Sequence, residues 1–351
     1  GAEMCIRDSL EIPMSLNVVQ IMAGDEEGGL ENHFVDMSNA LATSCNVTAI
    51  AHPKYARRFR TAVKYIGVNL SKPRLHPGNL FKIVKAIRHS NPDLVHAHAS
   101  KAGQIIALCK PFLSIKTVAT VHNVKKHMSF LKTYDLAIGV SDTVRDTLPC
   151  PNKISIYNGV NWHDDRVAAV PIEYQEIADS RKPVVVAVGR LVPAKGFDLL
   201  ISAWEPNFGY LFVVGDGPER GHLNALVAAR GLTDQVFLLG PRDPALDYIR
   251  AADLTVIPSR NEGFSYVFAE ALLEKTPVIS TDVPIPNEVL PQQYLCAVEN
   301  VEAIRLLLES TLSNVSRLEQ SFAPLLDYAT KNLTLERSRD QTLAAYEALI
   351  E

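Results

Sequence analysis

Residues 253–281 read "DLTVIPSRNEGFSYVFAEALLEKTPVIST". Their two ends, "DLTVIPS" (253–259) and "TPVIST" (276–281), are short apolar runs of the length of buried strands. The segment near 265–275 between them has helical length and spacing. A strand, a helix and a second strand in this order make a crossover unit, which belongs to a mostly parallel sheet covered on both faces. Two glutamates lie inside the unit, Glu262 and Glu270. Gly263 places Glu262 in the loop that follows the first strand and Glu270 on the helix. A carboxylate is costly to remove from water without a partner, so each must hold something.

The same alternation extends outward along the chain, twice over. In the first half the expected strands are "LNVVQIM" (16–22), "NVTAIA" (46–51), "DLVHAH" (93–98), "TVATVH" (117–122) and "DLAIGVS" (135–141), with helices at 29–43, 79–90 and 101–112. In the second half they are "PVVVAVG" (183–189), "YLFVVGDG" (210–217), "QVFLLG" (235–240) and the two runs already quoted. Helices are expected near 196–204, 219–230 and 244–251, and the chain closes in two helical segments, 300–311 and 316–350. The polar stretch around 160–182 reads as a linker. These patterns predict two doubly wound α/β domains, 14–165 and 166–335, with a terminal helix from about 335 to 351 packing back on the first. The opening "GAEMCIRDSLEIP" (1–13) carries no fold signal and reads as a tag remnant or an extended gene model, with the start at Met14.

Length and composition agree with two domains of roughly 150 residues each. The chain has 351 residues, 47% of them hydrophobic and 21% charged. It has no apolar run of about 18 residues or more, the length that would span a membrane. Its five cysteines are scattered and form no metal-like spacing, which points to a reducing cytoplasm. A net charge of −4 gives no reason to expect nucleic acid as a partner. That average hides an asymmetry, because Met37–Tyr134 contains sixteen Lys and Arg against one acid, Asp93. Such a surface is either a solvated basic face or a meeting point for anionic lipid or an anionic acceptor.

The motifs fall at strand ends, where open α/β sheets bind ligands. In "AVGRLVPAKGFDLL" the strand ends at Gly189, Arg190 follows, and Lys195 stands before a helix; two cations there suit a diphosphate. "VVGDGPER" supplies Gly215 and Gly217 at a tight turn. "DEEGGLENHF" puts Gly28 and Gly29 before a helix, where backbone amides can approach a phosphate. The dinucleotide pattern GxGxxG is absent, which weakens the case for an NAD enzyme. His96 and His98 are expected on opposite faces of their strand, so that one at most would line a crevice. His122, in "ATVHN", is the better candidate for touching substrate. Two strand-end carboxylates can be a hydrolase pair, but a hydrolase has no need of the Arg190/Lys195 anion site. As hydroxyl acceptors on a nucleotide-sugar, Glu262 and Glu270 account for that site as well.

Taken in order, "GRLVPAKG", "VVGDGPE" and "SRNEGFSYVFAEALLEKTPVIST" resemble the C-terminal half of the retaining glycosyltransferases of family 4. The first half adds "GGLENHFVDMSNALA", "NPDLVHAHASKAG" and "YNGVN". The resemblance covers nearly the whole chain from Met14. It implies the GT-B fold, two Rossmann-like domains facing a central cleft, the first for the acceptor and the second for a nucleotide-sugar donor, with UDP the expected nucleotide. Carried over, Arg190 and Lys195 would clamp the diphosphate, Glu270 the ribose and Glu262 the transferred sugar. The Phe264, Ser265 and Tyr266 amides would lie against sugar and phosphate, Gly28 and Gly29 would admit the phosphate, and His122 would contact the sugar. Glu288, in "PIPNEVL", matches a common acid with no assigned role. No divalent metal and no other cofactor is expected. Two departures stand out: Ser265 and Tyr266 replace a glycine and a small aliphatic, and Pro284 and Pro286 replace glycines.

The expected activity is retaining transfer of a hexose-type sugar to a glycan or lipid-linked acceptor in bacterial surface-polysaccharide or lipopolysaccharide assembly, in the cytoplasm and peripheral to the inner face of the membrane. A nucleotide-sugar epimerase or hydrolase of the same plan, or a non-catalytic nucleotide-sugar binding module, are the alternatives.

Overall fold

A computed structural model of the protein describes residues 16–25, 28–70, 76–123, 127–163, 169–177 and 182–351. The segment 1–13 and the start at Met14 lie outside the described residues. The chain divides into two compact units, Gly1–Ala119 with Tyr346–Glu351, and Thr120–Ala345.

Seven strands form the first sheet: β1 (Asn17–Met22), β2 (Asn46–Ala51), β3 (Lys64–Gly67), β4 (Leu94–His98), β5 (Lys116–Val121), β6 (Leu136–Gly139) and β7 (Lys153–Ser155). Their order is β3-β2-β1-β4-β5-β6-β7. The second sheet takes β8 (Val184–Val188), β9 (Tyr210–Val214), β10 (Val236–Gly240), β11 (Leu254–Ile257), β12 (Val278–Thr281) and β13 (Leu295–Cys296), in the order β10-β9-β8-β11-β12-β13. Pairing is parallel, with Val18 beside Leu94 and Val185 beside Leu254. Parallel strands covered by helices are buried on both faces, which is why they read as continuous apolar runs. In each sheet the strand order reverses beside its first strand, between β1 and β4 and between β8 and β11. Those are the switch points outside which ligands bind.

Three strands have no counterpart among the apolar runs: β3, β7 and β13. All three are sheet edges, short and only partly buried, so none needs a continuous apolar sequence. The linker is likewise less featureless than it reads, since it contains the helix Ile172–Ile177.

Residues 316–350 do not form one helix but two, Val315–Asn332 and Leu335–Ile350. At the break the backbone pairs with Val160, whose N–H donates to Leu333 O at 2.9 Å and whose O accepts from Leu335 N–H at 2.9 Å. Those groups are then lost to a continuous helix. The approach requires Gly159, because a Cβ there would lie 2.2 Å from Thr334 O. Helical periodicity runs straight through the break, so the sequence pattern does not reveal it.

His96 and His98 share a face: their ring centroids are 4.2 Å apart. Residues two apart on a strand point the same way, which corrects the expectation of opposite faces. Within the first compact unit they join a buried chain of hydrogen bonds. His98 Nε2 donates to Gln20 Oε1 (2.5 Å), Gln20 Nε2 donates to the Tyr346 hydroxyl (2.7 Å), and that hydroxyl donates to His96 Nδ1 (2.5 Å). Burial holds His96 at about 3, with nearby His33 adding to the effect, and holds His33 itself at about 4. His96 and His33 are therefore neutral at ordinary pH.

Candidate active site

The candidate site lies in the second compact unit, at the carboxyl ends of β8 and β11. Gly189 directly follows β8, and its N–H donates to Val214 O at 2.9 Å, one residue before Gly215. Arg190 comes next; its carbonyl accepts from Val192 N–H at 2.8 Å, while its exposed guanidinium has no hydrogen bond or ion pair to the described residues. A short turn then presents Lys195. Gly196 closes that turn at φ 67°, and a Cβ on it would lie 2.0 Å from Pro258 O, so the β8 loop rests directly on the β11 loop.

Arg260 fastens the two loops together. Its guanidinium forks onto Asp198 with both bonds at 2.7 Å, its Nη1 also donates to Pro193 O at 2.7 Å, and its backbone N–H donates to Ala194 O at 2.8 Å. The Arg260 hydrogen bonds hold the Asp198 carboxyl below the usual carboxylate range. No motif reading singled out Arg260; the only trace in the sequence is an arginine two residues before Glu262 with an acid three residues after Lys195.

On this frame Lys195 Nζ meets Glu262 Oε1 at 2.6 Å, and Ser259 Oγ donates to the same oxygen at 2.8 Å. Glu262 is buried and Lys195 partly so, with 8% and 27% of the side chains exposed. Both partners of Glu262 converge on Oε1, which leaves Oε2 as the oxygen open to a ligand hydroxyl. Lys195 keeps two further N–H groups for an anion.

The helix Tyr266–Leu273 starts here, with Ser265 at its N-cap making no side-chain capping bond. Phe264 and Ser265 are buried, Tyr266 is half-buried, and the Phe264 and Tyr266 rings meet edge-on at 5.1 Å. The first amides of any helix have no partner inside it, so those of this first turn point out of the helix. Glu270 follows on the next turn. Burial, and secondarily the Glu274 carboxylate, push its carboxyl up to about 7, with Lys195 pulling the other way.

His122 belongs to the same unit and directly follows β5. Its carbonyl sits against Gly263, where a Cβ would lie 1.6 Å from it. Only glycine is tolerated beside Glu262, and the His122 backbone is thereby fixed on the Glu262 loop. The ring is buried, with Nδ1 3.5 Å from Asn158 Nδ2. Gly28 and Gly29 lie in the other compact unit. There Gly28 caps the helix Gly29–Leu41, and the Glu31 carboxylate lies 3.2 Å from where a Gly28 Cβ would be.

Glu288 is engaged within the protein. Its carboxylate accepts from Asp142 N (3.0 Å), Thr143 N (2.8 Å), Thr143 Oγ1 (2.7 Å) and the Tyr157 hydroxyl (3.0 Å). It fastens the one-turn helix Pro286–Val289, which follows β12, to the short helix Asp142–Asp146 and to Tyr157. Ile285, directly before that helix, is held at φ 75°, a strained value for a β-branched residue.

The assembled groups are two cations, one free and one in an ion pair, and two carboxylates of different character. A ligand that fits has an anionic part for Arg190 and Lys195 and hydroxyls for Glu262 and Glu270.

Comparison with known proteins gives the family and the fold. Residues 172–323 match the family model "Glycosyl transferases group 1", and residues 27–162 match "Glycosyltransferase Family 4". The chain is 30% identical over 268 residues to the lipopolysaccharide core biosynthesis glycosyltransferase LpsE of Rhizobium meliloti (strain 1021), spanning 73% of this chain and 76% of that one. It is 30% identical over 302 residues to LpsD of the same strain, with 79% and 82% covered. Among solved structures, Anabaena HepE in complex with UDP aligns with a TM-score of 0.80 at 18% identity, over 95% of this chain and 100% of that one. Sucrose-phosphate synthase from Thermosynechococcus elongatus aligns with a TM-score of 0.77 at 19% identity, over 95% and 99%. The two parallel sheets are those of the GT-B fold.

Proposed function

Because the chain belongs to the glycosyl transferases of group 1 and family 4, we propose that it moves a hexose-type sugar from a UDP-sugar, with retention, to a glycan or lipid-linked acceptor in lipopolysaccharide or related surface-polysaccharide assembly. The observation that carries the reading is the Lys195–Glu262 pair beside unpaired Arg190 at the β8 and β11 ends. The names of LpsE and LpsD support the acceptor class, and the UDP complex of HepE supports the nucleotide.

On this reading Arg190 and Lys195 neutralise the diphosphate, and their charge matters most as the sugar–phosphate bond breaks and the UDP oxygen becomes an anion. Glu262 Oε2 accepts a hydroxyl of the transferred sugar while Lys195 and Ser259 hold Oε1. Glu270 accepts the ribose hydroxyls. The acceptor hydroxyl attacks on the face the nucleotide leaves and passes its proton to the departing phosphate oxygen as the sugar–phosphate bond breaks, so no protein nucleophile is required. Charge neutralisation is assigned to the two cations, and the reaction is read as needing no divalent metal. Catalysis takes place in the cytoplasm, at the inner face of the membrane.

The test is a panel of UDP-, GDP- and ADP-sugars read by nucleotide release, with and without glycolipid acceptors. Acceptor-dependent release from a UDP-sugar is expected, and Lys195→Ala should lower it by at least about a hundredfold, as for loss of a donor to a developing oxyanion. A changed sugar in the absence of acceptor would assign an epimerase instead, and undiminished turnover in Lys195→Ala would refute the clamp.

A further inference from the structure

The first compact unit carries an apolar edge that its own core does not use. The helix Pro77–Ser90 buries Asn79, Ile83 and Ile87, a stripe at four-residue spacing. The opposite stripe is Phe81, Lys85 and Arg88, spaced four and three apart. Phe81 is 70% exposed, and Lys82, Lys85 and Arg88 around it are exposed as well. Arg88 Nη2 donates to Phe112 O at 2.8 Å, which brings in the turn Lys110–Phe112, where the Phe112 ring is 62% exposed. Leu108, one helical turn earlier, is 42% exposed.

We propose that Phe81 and Phe112, framed by Lys82, Lys85 and Arg88, form a docking edge that inserts into the interfacial layer of an anionic lipid bilayer. The inference rests on the reading of a membrane-side acceptor and specifies the surface that meets the membrane. Exposed aromatic rings set among cations match the interfacial zone, where rings sit at headgroup level and each cation is drawn to anionic lipid. Charge complementarity selects the occupant. A second copy seated on this edge would place the same cations against each other, since Met37–Tyr134 contains one acid, Asp93, whose Oδ2 already accepts from Asn17 N–H at 2.8 Å. An anionic bilayer meets that charge with the opposite sign.

The test is co-sedimentation of the full chain with vesicles of neutral phosphatidylcholine alone, or of phosphatidylcholine mixed with phosphatidylglycerol. Binding to the anionic vesicles only is expected. Phe81→Ser with Phe112→Ser should weaken it by about tenfold, and Lys82→Gln with Lys85→Gln by roughly twentyfold. The thermal shift given by UDP and nucleotide release with a soluble acceptor fragment should stay unchanged in both, which shows that the variants fold and keeps this test separate from that of the transferase reading. Undiminished binding in the phenylalanine variant, equal binding to neutral vesicles, or a phenylalanine-dependent dimer seen by light scattering would each overturn the proposal.

Discussion

Glu262 and Glu270, eight residues apart, sit in opposite surroundings. Glu262 has an ammonium at 2.6 Å, whereas the Glu270 carboxyl is pushed up to about 7 by burial and by Glu274. Its ordinary value is 4.5, so between about 4.5 and 7 the folded protein holds a proton that the unfolded chain releases. Stability from this group is therefore greatest below that window and falls as pH rises through it. Glu270→Gln should stabilise the fold by about 2 kcal/mol at pH 8 and by much less at pH 5, while weakening nucleotide binding. Urea unfolding at the two pH values checks this, and a variant equally stabilised at both would contradict the assigned cause. Because the ionised carboxylate is the better hydroxyl acceptor, UDP affinity in the parent protein should also rise as pH passes 7, and the rise should vanish in Glu270→Gln.

At the scale of elements, the site depends on loops held by side chains whose roles the sequence does not announce. Arg260 bridges the β8 and β11 loops through Asp198 and Pro193 O. Arg260→Ala should cost about 2 kcal/mol of stability and lower turnover by letting Lys195 and Glu262 separate. Arg260→Lys should not restore either, since one ammonium cannot fork onto a carboxylate; full recovery in urea unfolding and nucleotide release would contradict the clamp. Glu288→Ala leaves the Asp142 and Thr143 amides and the Tyr157 hydroxyl without their acceptor, and should cost about 1–3 kcal/mol by the same measurement. The strand–helix alternation, and the glutamates inside it, were legible because buried parallel strands must be apolar and ligand groups gather at strand ends. What stayed hidden depends on contacts between distant segments. The edge strands β3, β7 and β13 need no apolar run, the break at Leu333 is imposed by Val160, and the Glu288 bonds reach back 131 to 146 residues.

For the whole molecule, the buried histidines set an acid limit. His33 and His96 are held at about 4 and about 3 against an ordinary 6.5. The unfolded chain takes up protons below 6.5 that the folded protein refuses, so stability is lost as pH falls from there and levels off only near 3. Between pH 6.5 and 5 the two together should cost on the order of 2–4 kcal/mol. Glu270 works in the opposite direction over this range, so the measurement belongs in the Glu270→Gln background; unfolding free energies independent of pH there would contradict the account. Among the described residues no helix is long and apolar enough to cross a membrane, and the proposed docking edge would supply membrane contact without one. The central claim remains the nucleotide clamp at the β8 and β11 ends, and calorimetric titration with UDP tests it most directly. One UDP should bind per chain, with affinity at least about tenfold lower in the Arg190→Ala, Lys195→Ala double variant. Unchanged affinity in that variant, or no UDP binding by the parent protein, would contradict it.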